Sequence, residues 1–432
     1  MNEMHKKVKP TPPMKPEDPF DGYFKTPLKR SFPSRKTLDS SSIERILGMI
    51  RWSSKNDLYT YQQAFETKSG PRVYLNGHEF LMISSYDYLG LIGHPAIESA
   101  TVEAIQRYGT GTGGVRLLTG TTDLHYKFER ELAEFKGTEA ALTFSSGYVA
   151  NLGIISTLFG PRDRIIIDSK AHRSIVEACK LSRVPVEKFN HNDPSSLQKK
   201  LEKKTTEQRT MIIIEGIYSM DGDICPLPEI IELKKKYEAY LMIDEAHSFG
   251  VLGSTGKGVE DHFQLRTEDV DIWMGSLSKA IPANGGFIAG TKNLVYYLQH
   301  TAAPYIFSAA LCPAAIATAR ESLRVFQQEP ERFEKLKYNI SYLRRGLNEL
   351  GYNTGVSVSP IIPIILGADE IAYRMARKLF ANGIIATPIV KPAVPPGGAR
   401  LRLCVTAAQD ETFLQQIIEG FREVRSLVFS FI

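Results

Sequence analysis

Between residues 140 and 278 short strand-like runs alternate with helical stretches, and this alternation restricts the fold more than any other feature of the chain. The runs are AALTF, RIIID, VEKF, TMIIIEG, YLMID and DIWMGS; helical patterns begin at Arg173 and Leu227, and another runs through Lys203. Strands separated by helices lie parallel and are joined by right-handed crossovers, which makes this region α/β. In open sheets of that kind ligands sit beyond the carboxyl ends of the strands, so the residues that follow each run are the candidates for chemistry.

The flanks differ from this middle. Residues 1–40 form a basic, proline-rich tail. Its first 36 residues hold nine Lys/Arg against four Asp/Glu, so the formal charge of +5 belongs to the tail and the remainder is neutral. With seven prolines as well, the tail cannot bury an apolar face; a solvated, mobile segment is its ordinary reading, and docking to an acidic carrier protein the alternative. A basic excess confined to a tail gives no ground for a nucleic-acid partner. Residues 41–93 read as an arm, with a helical pattern in IERILGMIRW and a hairpin over 72–83 that turns at Asn76-Gly77. Residues 94–310 form the large α/β domain, which opens with a helix over 94–108, a glycine-dense run over 109–120 and an amphipathic helix over 123–136. From 311 to 432 the pattern shifts to long helices, the strand-like SPIIPIIL and ARLRLCVT, and helices from Asp369 and Asp410, which describes a smaller α+β domain. No stretch approaches the roughly 18 apolar residues of a membrane helix, and the basic start lacks a signal peptide's apolar core, so a cytoplasmic protein without a membrane span is expected. Cys179, Cys225, Cys312 and Cys404 are isolated from one another, forming neither a disulfide framework nor a metal-ligand pair; they read as reduced packing residues, and no metal is expected.

Two segments carry the chemistry. GSLSK ends on Lys279, and YLMID ends on Asp244, followed by Glu245, Ala246 and His247. Pyridoxal phosphate needs an amine to form a Schiff base, a carboxylate to keep its pyridine nitrogen protonated and a donor near its phenolic oxygen; Lys279, Asp244 and His247 supply the three. Taken singly, each has an ordinary reading as a solvated loop lysine or a helix cap with a surface histidine; the combination in this order does not. Ser146-Gly147-Tyr148, between a strand and the helical VANLGIISTL, suits a phosphate held on exposed backbone amides, a tight turn being the alternative. Ser276 and Ser219 are candidate hydroxyl donors to the cofactor, or plain loop serines. His172, after RIIID, either lays its ring on the pyridine face or caps the next helix.

These residues lie in the motifs DYLGL, LLTGTTDLH, FSSGYVAN, EGIYSMDGD, DEAHSFGVLG, GSLSKAIPANGGF and RLRLCVTAA. Together, over about residues 58–425, they resemble the α-oxoamine synthases, pyridoxal-phosphate enzymes that include 8-amino-7-oxononanoate synthase, 2-amino-3-ketobutyrate CoA ligase and serine palmitoyltransferase. The resemblance implies fold type I, a doubly wound, mostly parallel sheet with a smaller C-terminal domain. It implies catalytic roles for Lys279, Asp244, His247 and His172, and cofactor contacts from Gly147, Tyr148, Ser219 and Ser276. Arg402 matches the arginine that receives the amino acid's carboxylate, work that suits a planar, bidentate guanidinium, and Thr406 lies near it. Tyr86 stands where many relatives carry a substrate-contacting asparagine, a change that resembles the serine palmitoyltransferase branch. Leu58-Tyr59-Thr60-Tyr61 lacks the arginine cluster of the biotin-pathway branch, and Ala309 replaces a threonine with which some members reach the phosphate of the other subunit.

The implied activity is that of an acyltransferase. It condenses a small amino acid (serine, alanine or glycine) with an acyl thioester, on coenzyme A or a carrier protein, and releases carbon dioxide to give an α-amino ketone. A homodimer with shared active sites is also implied. The competing readings are an aminotransferase of the same fold and a non-catalytic subunit of a serine palmitoyltransferase-like complex; retention of Lys279 argues against the latter.

Overall fold

The computed structural model describes residues 41–203 and 208–429, so the reading of residues 1–40 as a docking or solvated tail lies outside the described residues. The chain begins with helix Ser41–Lys55 and the hairpin of β1 (Arg72–Leu75) and β2 (His78–Met82). Its turn residues Asn76 and Gly77 both have positive φ, 50° and 72°, the geometry whose twist matches that of paired strands and which Asn-Gly tolerates.

The central sheet holds β3 (Ala140–Phe144), β4 (Arg164–Asp168), β5 (Val186–Phe189), β6 (Thr210–Glu215), β7 (Tyr240–Asp244), β8 (Ile272–Ser278) and β9 (Pro282–Gly290) in the order β3-β9-β8-β7-β6-β4-β5. The last strand run legible in this part of the sequence, DIWMGS, ends at Ser276, and β9 is an addition to the pattern. This strand runs antiparallel to both β3 and β8, which leaves the sheet mostly parallel. Its sequence, PANGGFIAG, hides it because the glycines break the alternation a strand normally shows. One of them has a packing reason: a Cβ on Gly286 would stand 2.5 Å from the Gly147 backbone.

Inner strands are apolar on both faces because both faces are covered. Ile165, Ile167, Ile213 and Met242 pack with helices Gly147–Leu158 and Arg173–Ser182, while Ile166, Ile212, Ile214 and Ile243 face the layer that includes helix Leu227–Lys236. Each such side chain, fully buried, contributes roughly 1.5–3 kcal/mol.

After helices Pro313–Gln328 and Glu331–Glu349 the chain forms a second, antiparallel sheet. It contains β10 (Ile361–Gly367), β12 (Thr387–Ile389) and β13 (Ala399–Cys404), ordered β10-β13-β12, while β11 (Ile384–Ile385) extends the hairpin by pairing in parallel with β2. The Cys404 amide donates to Ile83 O at 2.7 Å and that of Ala407 to Tyr88 O at 2.8 Å, which seats RLRLCVTAA on the DYLGL turn. Gly90 in that turn has φ +67°, and a Cβ there would lie 2.6 Å from Cβ of Ala408, so glycine is required twice over. Among the described residues no helix is long and apolar enough to cross a membrane.

Candidate active site

Asp168, Glu215 and Asp244 end the neighbouring parallel strands β4, β6 and β7, and Lys279 follows β8 directly. Asp244 is 4% exposed. Its Oδ2 accepts from Asn151 Nδ2 at 2.8 Å and its Oδ1 from the Ala246 amide at 2.9 Å. The same Asn151 amide reaches Ser174 Oγ at 2.9 Å, so helices Gly147–Leu158 and Arg173–Ser182 jointly orient the carboxylate. Glu215 lies opposite Asp244 in register and accepts the His172 N–H at 2.6 Å. Burial, and then the charge of Asp244, push its pKa well above the usual carboxylate range, so Glu215 stays neutral and adds no charge beside Asp244.

Burial lowers the pKa of Lys279 and the Arg402 charge adds to that, against the opposing pull of Asp244. An amine depressed in this way is the more available as a nucleophile. His172 caps helix Arg173–Ser182, its Nδ1 2.7 Å from Ser174 Oγ. Burial and the Lys279 charge lower its pKa, partly offset by Asp244. The Nδ1 of His247 lies 2.8 Å from Tyr88 Oη, and burial first, then the charges of Lys279, Arg402 and His172, hold the imidazole neutral.

Arg402 comes from β13 of the second sheet and faces this group. Its Nε donates to Ser219 O at 2.6 Å and its guanidinium lies 4.8 Å from the Tyr86 ring, which in turn stands edge-on to His247 with centroids 6.3 Å apart. The side chain of Tyr86 is half exposed at 47%. Ser219 therefore meets Arg402 through its carbonyl, not through its hydroxyl. Thr406 has its amide bonded to Gln409 Oε1 at 3.1 Å and its carbonyl to Asn339 Nδ2 at 2.9 Å, leaving its buried Oγ1 without a partner among the described residues.

Whether the residues fit pyridoxal phosphate can be judged at two places. Asp244 is a buried carboxylate that makes no ion pair among the described residues, which suits a cationic ring nitrogen. Gly147 begins its helix pressed against β8: a Cβ would lie 3.1 Å from Met274 Cε and 3.2 Å from Ser276 Cβ. Ser146 caps that helix by accepting from the Val149 amide at 3.1 Å, which leaves the amides of Gly147 and Tyr148 as donors beside the Ser276 and Ser278 hydroxyls, themselves 2.9 Å apart. Amides at a helix start together with hydroxyls suit a phosphate monoester. Both places fit. The Tyr148 side chain, 43% exposed, stands at this end of the helix.

From Lys279 a cavity of about 620 Å³ leads away between the N-terminal hairpin and helix Asp369–Ala381, past Tyr61, Phe65, Met82, Phe380 and Ile385. Among the described residues that line it, Lys279 is the one basic side chain.

Four contributors escape sequence reasoning: Asn151, Ser174, Tyr88 and Glu215. Three of them lie in the motifs FSSGYVAN, DYLGL and EGIYSMDGD, and Asn151 sits one helical turn after Gly147, a spacing that places it on the same face.

The aminotransferase class I and II family model matches residues 79–421. The chain is 42% identical to an 8-amino-7-oxononanoate synthase of Thermoanaerobacter pseudethanolicus, over 86% of this chain and 94% of that one. It is 39% identical to a serine palmitoyltransferase of Bacteriovorax stolpii, over 90% and 92%. A serine palmitoyltransferase from S. paucimobilis, solved with bound PLP, superposes with a TM-score of 0.87 at 31% identity, covering 90% of this chain and 98% of that one.

Proposed function

We infer the reaction from one premise: the chain belongs to the aminotransferase class I and II family, and within it to the α-oxoamine synthases. Its fold is type I, its cofactor is pyridoxal 5'-phosphate, and it is a C-acyltransferase. The reaction is the decarboxylative condensation of an amino acid with an acyl thioester, in which carbon dioxide and a free thiol leave and an α-amino ketone is formed.

When bound, the cofactor supplies an electron sink for bonds broken at the substrate's α-carbon. The observation that carries the assignment of roles is the meeting of Lys279, Asp244 and Arg402 at one sheet edge. In this reading Lys279 holds the cofactor and then moves the α-proton, its lowered pKa leaving the amine free to accept it. Asp244 would balance the charge of the ring nitrogen, His172 would pack on the ring and neutral His247 would bond the phenolic oxygen. The Gly147 and Tyr148 amides and the Ser276 hydroxyl would hold the phosphate. Arg402 takes the amino acid's carboxylate and sets the angle of the bond that breaks, with Tyr86 and the unpartnered Thr406 hydroxyl bordering the amino-acid side.

The cavity beyond Lys279 is the proposed path of the acyl donor. An apolar far wall, with no second cation among the described residues, favours an uncharged chain over one that ends in a carboxylate. The amino acid is serine, alanine or glycine, and coenzyme A or a carrier protein brings the acyl group. We propose a cytoplasmic homodimer; the exposure of Leu118 at 76% and Phe307 at 82%, on segments joined by the Val115–Ala309 bridge, supports such an interface.

The test incubates the cofactor-loaded protein with glycine, L-alanine or L-serine, with and without acyl-CoA. Equal release of carbon dioxide and free thiol with one amino acid is the expected result. A keto acid formed from the amino acid alone would overturn it in favour of transamination, and uncharged acyl-CoAs should outperform ω-carboxyacyl-CoAs of the same length.

A further inference from the structure

Behind the site lies a charged cluster that this mechanism does not use. His191, between β5 and helix Pro194–Leu201, bridges two carboxylates: Nδ1 is 3.0 Å from Asp168 Oδ1 and Nε2 is 2.7 Å from Asp223 Oδ2. Asn192 reinforces both links, its amide donating to Asp168 Oδ2 at 2.9 Å and its Nδ2 to Asp223 Oδ2 at 2.8 Å. The Tyr218 ring stands edge-on to the imidazole, centroids 4.5 Å apart.

With a carboxylate at each nitrogen, both nitrogens donate and the ring is an imidazolium. Burial alone would lower its pKa, but Asp168 and Asp223 raise it to about 9. Other charged groups near the bridge are already engaged: Lys170 pairs with Asp221 at 3.0 Å, and Glu215, within charge range of Asp168, is neutral.

What the bridge holds is the loop that leads from β6 to helix Leu227–Lys236 and packs against β10 on the way. Within it Tyr218 N–H donates to Asp223 O at 3.0 Å and Gly222 N–H to Tyr218 O at 2.8 Å. The tip is pressed onto β10: a Cβ on Gly222, at φ +71°, would fall 2.1 Å from Ile361 O. From this tip Ser219 O receives Arg402 Nε at 2.6 Å, and Met220 O and Asp221 Oδ1 receive Arg400 Nη1 at 3.0 and 2.9 Å. Tying Nε fixes the plane in which the Arg402 guanidinium lies, and that plane decides how a carboxylate can meet it.

We propose that His191 is a positioning residue: by clamping Asp223 to Asp168 it holds the Ser219 carbonyl in place and so aims the Arg402 guanidinium at the carboxylate of the amino-acid substrate. The inference rests on the reading of Arg402 as the receiver of that carboxylate.

The experiment titrates PLP-loaded wild type, His191→Gln and Arg402→Lys, by visible absorption, with two ligands. One is the amino acid the enzyme turns over, and the other the matching amine without a carboxylate: methylamine for glycine, ethylamine for alanine, ethanolamine for serine. In His191→Gln the dissociation constant for the amino acid should rise about 10-fold, and that for the amine should not move. Arg402→Lys should show the same selectivity, and the double variant should lose less than the two single losses multiplied together. Equal weakening of both ligands by His191→Gln, or of neither, while Arg402→Lys stays selective, overturns the positioning role and leaves the carboxylate reading standing. If Arg402→Lys itself weakens both ligands equally, or neither, the carboxylate reading fails and the proposal with it. If His191→Gln does not fold, Asp223→Asn, which keeps an acceptor of the same size without its charge, takes the same two titrations with the same decision.

Discussion

At the scale of single residues, chemistry follows from what a side chain is, and position from what holds it. Lys279, Asp244 and His247 were legible in the sequence because an amine, a carboxylate and an imidazole can each do one thing for this cofactor. Asn151 was not, because an amide declares no partner until a helix brings it 2.8 Å from Asp244. Ser219 was legible by name, but the atom it uses toward Arg402 is its backbone carbonyl, which every residue possesses. Asp244→Asn keeps the shape and removes the charge that balances the ring nitrogen; turnover should fall at least about 100-fold while the chain remains folded, measured as carbon dioxide release beside circular dichroism. His191 makes a pH prediction. Its folded pKa of about 9 lies above the ordinary 6.5, so its stabilising contribution is complete below pH 6.5 and is lost as pH rises through 9. The urea midpoint of the wild type should decline across that window, and the decline should be smaller in His191→Gln.

Elements behave differently, because a helix or strand is recognised by its period and placed by its ends. Helix Asp123–Lys136 is clear from its amphipathic spacing, yet the sequence does not foretell that its last residue is buried. Lys136 bonds Glu245 and reaches Glu260 Oε1 at 2.6 Å and Lys257 O at 2.8 Å, with its ammonium 3.8 Å from the Trp273 ring. That ties the helix to the loop after β7, where the Ser248 hydroxyl also donates to Glu245 Oε1 at 3.3 Å. Lys136→Met would leave two buried carboxylates without their cation and should cost about 3–5 kcal/mol, read from denaturant midpoints. Gly147 shows the same dependence on neighbours. Gly147→Val should weaken cofactor binding more than it lowers thermal stability of the apo protein, since the added side chain enters the space between the helix start and Ser276; cofactor titration of the apo protein checks this. Strand β9 is the element that periodicity misses, because its glycines serve close approach and not a face.

For the whole molecule the decisive relation is between the sheet edge of the large domain and β13 of the small one, which between them supply Lys279 and Arg402. We propose residues 94–310 and 311–432 as the two units and 41–93 as an arm; its hairpin extends into β11, so the arm and the small domain should unfold together, detectable as shared hydrogen-exchange protection. As a proposed homodimer the protein should sediment as two copies, and Phe307→Glu should yield monomers with reduced turnover. By itself the sequence determined the α/β class, the order of most strands and helices, and the identities of the lysine, aspartate and histidines, because hydrophobic period and side-chain chemistry are local properties. Only the tertiary structure decided that β9 inserts antiparallel, that Glu215 lies neutral beside Asp244, that His191 clamps the loop over Arg402, and that Lys279 is the one basic side chain among the described residues lining the cavity. Each of these depends on groups far apart in the chain, whose distance and burial, and therefore charge state, exist only once the strands have been ordered in space.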